Sequence, residues 1–379
     1  MLLPMPSLRF DFEDVHQRPA SRTYEDPEAV WQADSPAEVR SVLQACDAAL
    51  ASGLHVAGFV AYEAAAAFDD ALQTRPRDPA VPLAWFGGFR NHTRSAPLSC
   101  GKSAGLELTG AAGSAGAYAD SVERIRAHIA AGDAYQVNHT TRLRARVRGD
   151  TRALYAMLHA RQPAQYAAHL QLDGLELLSF SPELFVRRHG DTLSTRPMKG
   201  TAARGTDAAS DAVSRAALQE SPKERAENVM ITDLLRNDLG RIALTGTVRV
   251  PRLLQVETHP TFHALTSTVT GRVRAGTGLL DTFSALFPCG SVTGAPKASA
   301  MGIIARLENA PRGVYCGSIG FATPDDGWAF NVAIRTLQVN TDAGEATYGT
   351  GGGVTWDSLP GAEFEEAMLK ARFLMEAGQ

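Results

Sequence analysis

The chain has 379 residues, with 41 acidic and 37 basic side chains and a formal net charge of -4. Apolar residues make up 44% and charged residues 21%, which excludes a disordered, collagen-like or disulfide-scaffold chain. The mild acidic balance argues against a nucleic-acid binder, and no run approaches the ~20 apolar residues of a membrane span. Residues 1–10 lack a basic stretch followed by an apolar core, so no signal peptide is expected. Cys46, Cys100, Cys289 and Cys316 are scattered and form no CxxC pair. That pattern suits a reducing cytoplasm and predicts neither a thiolate metal site nor a disulfide framework.

In chain order, residues 1–112 read as a strand-rich portion. The apolar runs 56–62 (VAGFVAY) and 83–89 (LAWFGGF), bounded by Pro, Asp and Gly, predict buried strands, with a loop at 75–82. Residues 95–117, rich in Ser, Gly and Ala, are the linker candidate. A second portion, 117–375, is expected to form one compact unit with the first. Tyr118, Val122, Ile125 and Ile129 keep helical spacing, and Gly132 ends that helix. Strands are predicted at 135–147, 175–180 and 184–186. Ser221 and Glu224 have the capping-box form with Pro222 between them, so a helix should run to about Asn237. Strands follow at 314–321, 329–339 and 346–348, and a last helix at 360–375.

The helix after Ser221 carries carboxylates in an unusual place. Met230, Ile231, Leu234 and Leu235 form its apolar stripe, and Glu227 projects onto that same side. Glu224 lies one turn earlier, where a capping role is the competing reading. A carboxylate facing the core must be paired, hydrogen-bonded or bound to a metal. The last helix repeats the arrangement. Glu363, Glu366 and Lys370 form a row beside Phe364, Ala367, Ala371 and Leu374, a pattern that alone would more often be a solvated face. Two Glu-x-x-Glu helices could together offer a hard oxygen site of the kind Mg²⁺ uses. No histidine spacing points to zinc or iron.

Two glycine-rich loops invite a nucleotide reading, which the spacing rejects. In residues 290–297 (GSVTGAPK), Ala295 and Pro296 separate Gly294 from Lys297, whereas a phosphate loop needs them adjacent. Residues 349–353 (GTGGG) lack the G-x-G-x-x-G form. Either loop could still offer backbone amides to an anion, although tight turns are the simpler reading.

Together the motifs resemble the chorismate-utilising enzymes, which include anthranilate synthase component I, aminodeoxychorismate synthase component I, isochorismate synthase and salicylate synthase. The matching stretches are 132–138 (GDAYQVN), 181–183 (SPE), 196–201 (RPMKGT), 224–241 (ERAENVMITDLLRNDLGR), 263–266 (HALT), 287–297, 315–320 (YCGSIG), 333–336 (AIRT) and 351–370. The resemblance covers about 117–375 and touches the earlier part mainly at 57–63 (AGFVAYE). It implies an α/β fold in one large domain, with two antiparallel sheets in a sandwich and helices outside. Ala329 departs from the family pattern, where an aspartate is common.

The resemblance also implies site roles. Lys199 matches the lysine typical of aminodeoxychorismate synthases, which attacks C2 of chorismate as the C4 hydroxyl leaves. Gln136 stands where water-adding members carry a lysine base. Glu183 matches the acid that protonates the leaving hydroxyl, and His263 matches a pocket histidine. Glu224, Glu227, Glu363 and Glu366 would hold Mg²⁺. Gly200 and Thr201 would lie near the ring carboxylate, and Tyr315, Arg335, Gly351, Gly352 and Gly353 would hold the enolpyruvyl carboxylate. Ser291 and Lys370 are further expected contacts.

The chemistry suits these residue types. A lysine nucleophile must be neutral, yet only roughly one in 2,500 is so at pH 7 with the ordinary pKa. Burial or proton transfer must assist. Hydroxide leaves poorly, so a general acid is needed.

The expected activity is formation of 4-amino-4-deoxychorismate from chorismate and ammonia, on the 4-aminobenzoate branch of folate synthesis. A glutamine amidotransferase subunit would supply ammonia, and a separate aminodeoxychorismate lyase would act downstream. No nucleic acid or membrane partner is expected. The alternatives are anthranilate synthesis and a non-catalytic chorismate-binding paralogue.

Overall fold

A computed structural model describes residues 5–96, 98, 104–111, 113–325 and 327–375. Cys100 and residues 1–4 of the expected signal-free start lie outside the described residues. The fold is a mixed α/β single domain built on two antiparallel sheets. In the first sheet, Gln136–Gly149 pairs with Glu345–Val354, followed in order by Thr336–Asn340, Leu175–Ser181, Tyr166–Gln171, Ser7–Glu13 and Pro19–Glu25. In the second, Met198–Ala203 pairs with Phe262–Arg272, followed by Thr192–Arg196, Leu184–His189, Gly327–Val332, Ser318–Thr323, His55–Val60, Ala84–Phe89 and Ala29–Ala33.

The early strands therefore enter both sheets. Ser7–Glu13 pairs with Tyr166–Gln171, and His55–Val60 with Ser318–Thr323. A core of buried aromatic and aliphatic residues from both sheets, including Phe10, Phe12, Phe59, Leu170, Leu177, Ile319 and Phe321, holds this arrangement together. Burying apolar area on facing sheets is the main stabilising term for such a layer.

Several elements differ from the sequence reading. Part of the expected linker, Ala104–Ala111, is a strand paired with Gln136–Gly149. Backbone pairing needs no bulky side chains, so small residues do not exclude a strand. The run expected at 329–339 is two strands, Gly327–Val332 and Thr336–Asn340. The break falls at Arg335, whose φ of 52° lies in the left-handed region that strands do not use. The 346–348 strand extends over Glu345–Val354 and includes the glycine run. The last helix splits into Pro360–Leu369 and Arg372–Met375.

The helix predicted from Ser221 spans Pro222–Gly240. The Ser221 hydroxyl accepts from the Glu224 amide at 3.4 Å, and Pro222 occupies the first turn, where its missing N–H costs nothing. Ile231, Leu235 and Leu239 pack this helix against the second sheet. Lys297 belongs to this packing and not to an anion loop. Its Nζ donates to Asp238 Oδ2 at 2.7 Å and to the Leu286 carbonyl at 3.1 Å.

Candidate active site

Both sheets and both acidic helices meet at one cavity of about 250 Å³. Of the residues picked out in the sequence, Glu183, Lys199, Gly200, Thr201, Glu224, Glu227, Ser291, Tyr315, Arg335, Gly351, Gly352, Gly353, Glu366 and Lys370 line it. Lys199, Gly200 and Thr201 come from the edge strand Met198–Ala203. Gly200 takes a φ of 82°, and a Cβ there would press on the Glu224 side chain. Gly353 is needed for a different reason. A Cβ at 353 would collide with the Gln136 amide and come within 3.3 Å of Lys199 Nζ.

Gln136, Glu363 and His263 stand apart from the lining. Gln136 sits just behind it and donates from Nε2 to Glu227 Oε2 at 2.9 Å. Glu363 accepts from the Ser358 hydroxyl at 2.6 Å, and its Oε2 lies 3.5 Å from a Cβ position on Gly352. The structure does not bring His263 into the cavity. Its Nε2 meets Asp211 Oδ1 at 3.0 Å and its Nδ1 meets Thr258 Oγ1 at 3.1 Å, and the side chain is buried against the Ala208–Glu220 helix.

Glu183 is 2% exposed. Burial pushes its carboxyl up to about 7, although the Ser291 hydroxyl and the Lys199 charge pull the other way. The Met198 amide adds a long contact to Oε1 at 3.4 Å. A carboxyl that keeps its proton near neutrality, beside an amine, has the properties of a general acid. Arg335 is half-buried, its guanidinium lies 4.6 Å from the Phe262 ring centroid, and its solvent-shielded Nη1 has no hydrogen-bond partner among the described residues. A shielded donor left unpaired on a cation is costly unless an anion arrives. Tyr315 completes this side, and Gly349 leaves the space its ring occupies.

The four glutamates act on one another electrostatically. Burial raises Glu224, and Glu227 and Glu366 add to that shift. Burial also raises Glu363, with Glu366 and Glu227 contributing, while the Ser358 hydrogen bond opposes. Burial disfavours the charge on Glu366 too, but Lys370, whose Nζ lies 2.7 Å from Oε1, outweighs it and holds the carboxyl below its ordinary value. The donor chemistry fits a hard dication. The acids are not closed into a cage. Among the described residues, no three His, Cys, Asp or Glu side chains gather closely enough to hold one ion.

Sequence reasoning missed two features. Lys223 lines the cavity in the first turn of the Pro222–Gly240 helix, where the dipole disfavours a cation. That conflict was a readable signal. The second feature is a buried brace behind the cavity. Arg312, 1% exposed, donates to the carbonyls of Val292 at 2.7 Å and Asn138 at 2.8 Å, and pairs with Glu308 at 2.7 Å. Glu308 in turn accepts from the Thr140 amide at 2.9 Å. No local motif marks this brace.

The two antiparallel sheets thus bring acids, lysines and an arginine with an unpartnered Nη1 together at one cleft. The chain belongs to the chorismate-binding enzymes, whose family description matches residues 9–376. Over 261 residues it is 44% identical to anthranilate synthase component 1 of Streptomyces coelicolor, covering 69% of this chain and 51% of that one. Over 258 residues it is 42% identical to aminodeoxychorismate synthase component 1 of Klebsiella aerogenes, covering 68% and 57%. The matched region thus spans about half the length of these curated relatives. The fold matches the crystal structure of anthranilate synthase component I from Streptococcus pneumoniae, with a TM-score of 0.76 at 23% identity over 98% of this chain and 91% of that one. It also matches the menaquinone-specific isochorismate synthase of Escherichia coli, with a TM-score of 0.75 at 18% identity over 99% and 89%.

Proposed function

We propose that the protein converts chorismate and ammonia to 4-amino-4-deoxychorismate. The observation that carries this reading is Lys199, which lines the cavity together with the buried, proton-holding Glu183. Relatives of both kinds are about equally similar, so overall identity does not choose between 4-amination and 2-amination. Lys199 supports the 4-amination reading, because a covalent route to C4 needs an amine nucleophile here.

Neutral Lys199 attacks ring C2. The ring double bonds shift, and the C4 hydroxyl leaves as water after taking the Glu183 proton. The Lys199 nitrogen passes its extra proton to the Glu183 carboxylate, and ammonia then attacks C4. The double bonds shift back, and the bond from C2 to the Lys199 nitrogen breaks as Glu183 returns that proton to it. The new C4 ammonium re-protonates Glu183, leaving neutral Lys199 and the amino product. Arg335 and Tyr315 orient the enolpyruvyl carboxylate, the arginine through the donor it has free. Glu224, Glu227, Glu363 and Glu366 would hold Mg²⁺, whose charge allows a ring carboxylate to sit among acids.

In this reading a glutamine amidotransferase subunit supplies the ammonia. Relatives named as a numbered component are consistent with such a partner. A separate lyase acts on the product. A cytoplasmic setting agrees with the free thiols of Cys46, Cys289 and Cys316 and with the absence, among the described residues, of a helix long and apolar enough to cross a membrane.

Product analysis tests the proposal. Incubation with chorismate, Mg²⁺ and ammonium should give 4-amino-4-deoxychorismate. Direct formation of anthranilate would overturn it, and chorismate binding without turnover would indicate a binding paralogue.

A further inference from the structure

The carboxylate cluster has internal cations that differ in how firmly they are held. Lys370 is anchored at two points, to Glu366 Oε1 at 2.7 Å and to the Gly351 carbonyl at 2.9 Å. Lys223 has one weak contact, 3.9 Å from Glu363 Oε1 on the facing helix. Its side chain is 47% exposed, whereas Glu363 is 5% exposed. The charge of Lys223 also acts on Glu224 and Glu366. It therefore addresses three of the four acids while being committed to none of them. Its place in the first helical turn is unfavourable for a cation by itself, so the acids across the cleft are what make it favourable.

We infer that Lys223 is a resident counter-ion of the carboxylate cluster, one that stabilises the metal-free site and must yield when a dication enters. This rests on the proposed Mg²⁺ site. The partners seen on the acids agree with it. Gln136 occupies Glu227, Ser358 and Lys223 occupy Glu363, and Lys370 occupies Glu366. The contact is long and its Lys223 end is half in solvent, so the lysine side chain can swing outward at little cost. A lysine held this way limits metal affinity, because its charge opposes the incoming ion.

The test is calorimetric titration of Mg²⁺ into the full chain without chorismate. Lys223→Met should bind Mg²⁺ about tenfold more tightly than the unaltered protein, the effect of removing one unit charge at this range. Lys223→Arg keeps the charge and should stay within about twofold. The melting temperature of metal-free Lys223→Met should fall, and the gap should close when Mg²⁺ is added. Lys223→Gln replaces the methionine variant if circular dichroism shows that the latter is misfolded. Equal or weaker Mg²⁺ binding by the variant, with binding by the unaltered protein intact, overturns the inference and leaves the metal site standing. No Mg²⁺ binding by any of these proteins overturns the metal site and the inference with it.

Discussion

Gln136 Nε2 donates to Glu227 Oε2 over 2.9 Å, tying the long strand Gln136–Gly149 to the Pro222–Gly240 helix behind the cavity. Both residues are buried, at 1% and 8% exposure, so the bond is shielded from water. Replacing Gln136 with Leu should leave a buried carboxylate oxygen without its donor. The expected cost is about 1–3 kcal/mol, measured as a lower urea midpoint at unchanged slope. An unchanged midpoint would show that water replaces the amide freely.

Glu183 makes a pH prediction whose sign can be worked out. Its folded value is about 7, above the ordinary 4.5. The folded protein therefore holds this proton more tightly than the unfolded chain does. Its contribution to stability is fully present below pH 4.5 and is lost as pH rises toward 7. Glu183→Gln, which stays neutral, should remove that slope from a series of urea midpoints. The same variant should lose the step near pH 7 in the rate profile, and kcat should fall by about 10²- to 10⁴-fold.

The covalent route is tested at Lys199. Lys199→Ala should abolish 4-amination, with kcat reduced by at least ~10³-fold. Chorismate binding should persist, because other groups hold the carboxylates. Mass spectrometry of quenched unaltered enzyme should show an adduct on the peptide containing Lys199. Full 4-amination by the alanine variant would sink the covalent step.

Much of this site was legible because chemistry-bearing residues had unambiguous phases. Glu227 falls on the apolar stripe of its helix, and it is 8% exposed as that phase requires. Glu363 was ambiguous, since its row resembles a solvated face, yet it is 4% exposed and accepts from the Ser358 hydroxyl beside the cavity. His263 shows the limit. A strand residue's side is set by register, and opposite Ala202 the His263 side chain meets Asp211 and Thr258 and not the cavity. The Ala104–Ala111 strand was missed because its sequence has linker composition and its pairing is backbone-made. Arg312 and Glu308 are only four residues apart, but their value lies in contacts to Asn138 and Thr140, which sequence spacing cannot reveal.

That brace predicts an acid sensitivity of the opposite sign to that of Glu183. Burial works against the Glu308 charge, but Arg312, followed by Arg142, holds its carboxyl down at about 2. Its stabilising contribution is present above pH 4.5 and is lost as pH falls through the folded value. Glu308→Gln would leave a fully buried guanidinium without its counter-charge. The loss should be about 3–5 kcal/mol, read from urea unfolding at pH 7, and the variant should unfold less steeply with acid.

Arg335 should show the reverse trade between stability and binding. It is half-buried, its backbone sits at φ 52°, and its solvent-shielded Nη1 has no partner among the described residues. Burial lowers its proton affinity, as expected for a cation without a close counter-charge. Removing such a group takes away a desolvation cost and leaves no partner stranded. Arg335→Met should therefore leave the urea midpoint unchanged or higher. The same change deletes the planar donor pair that fits a carboxylate, so KM for chorismate should rise by tenfold or more. Arg335→Lys should recover only part of this, since an ammonium cannot reproduce the bidentate geometry. A structural role predicts the opposite pattern, a lower midpoint with KM unmoved. Measuring both quantities on the same two variants separates a residue kept for its ligand from one kept for the fold.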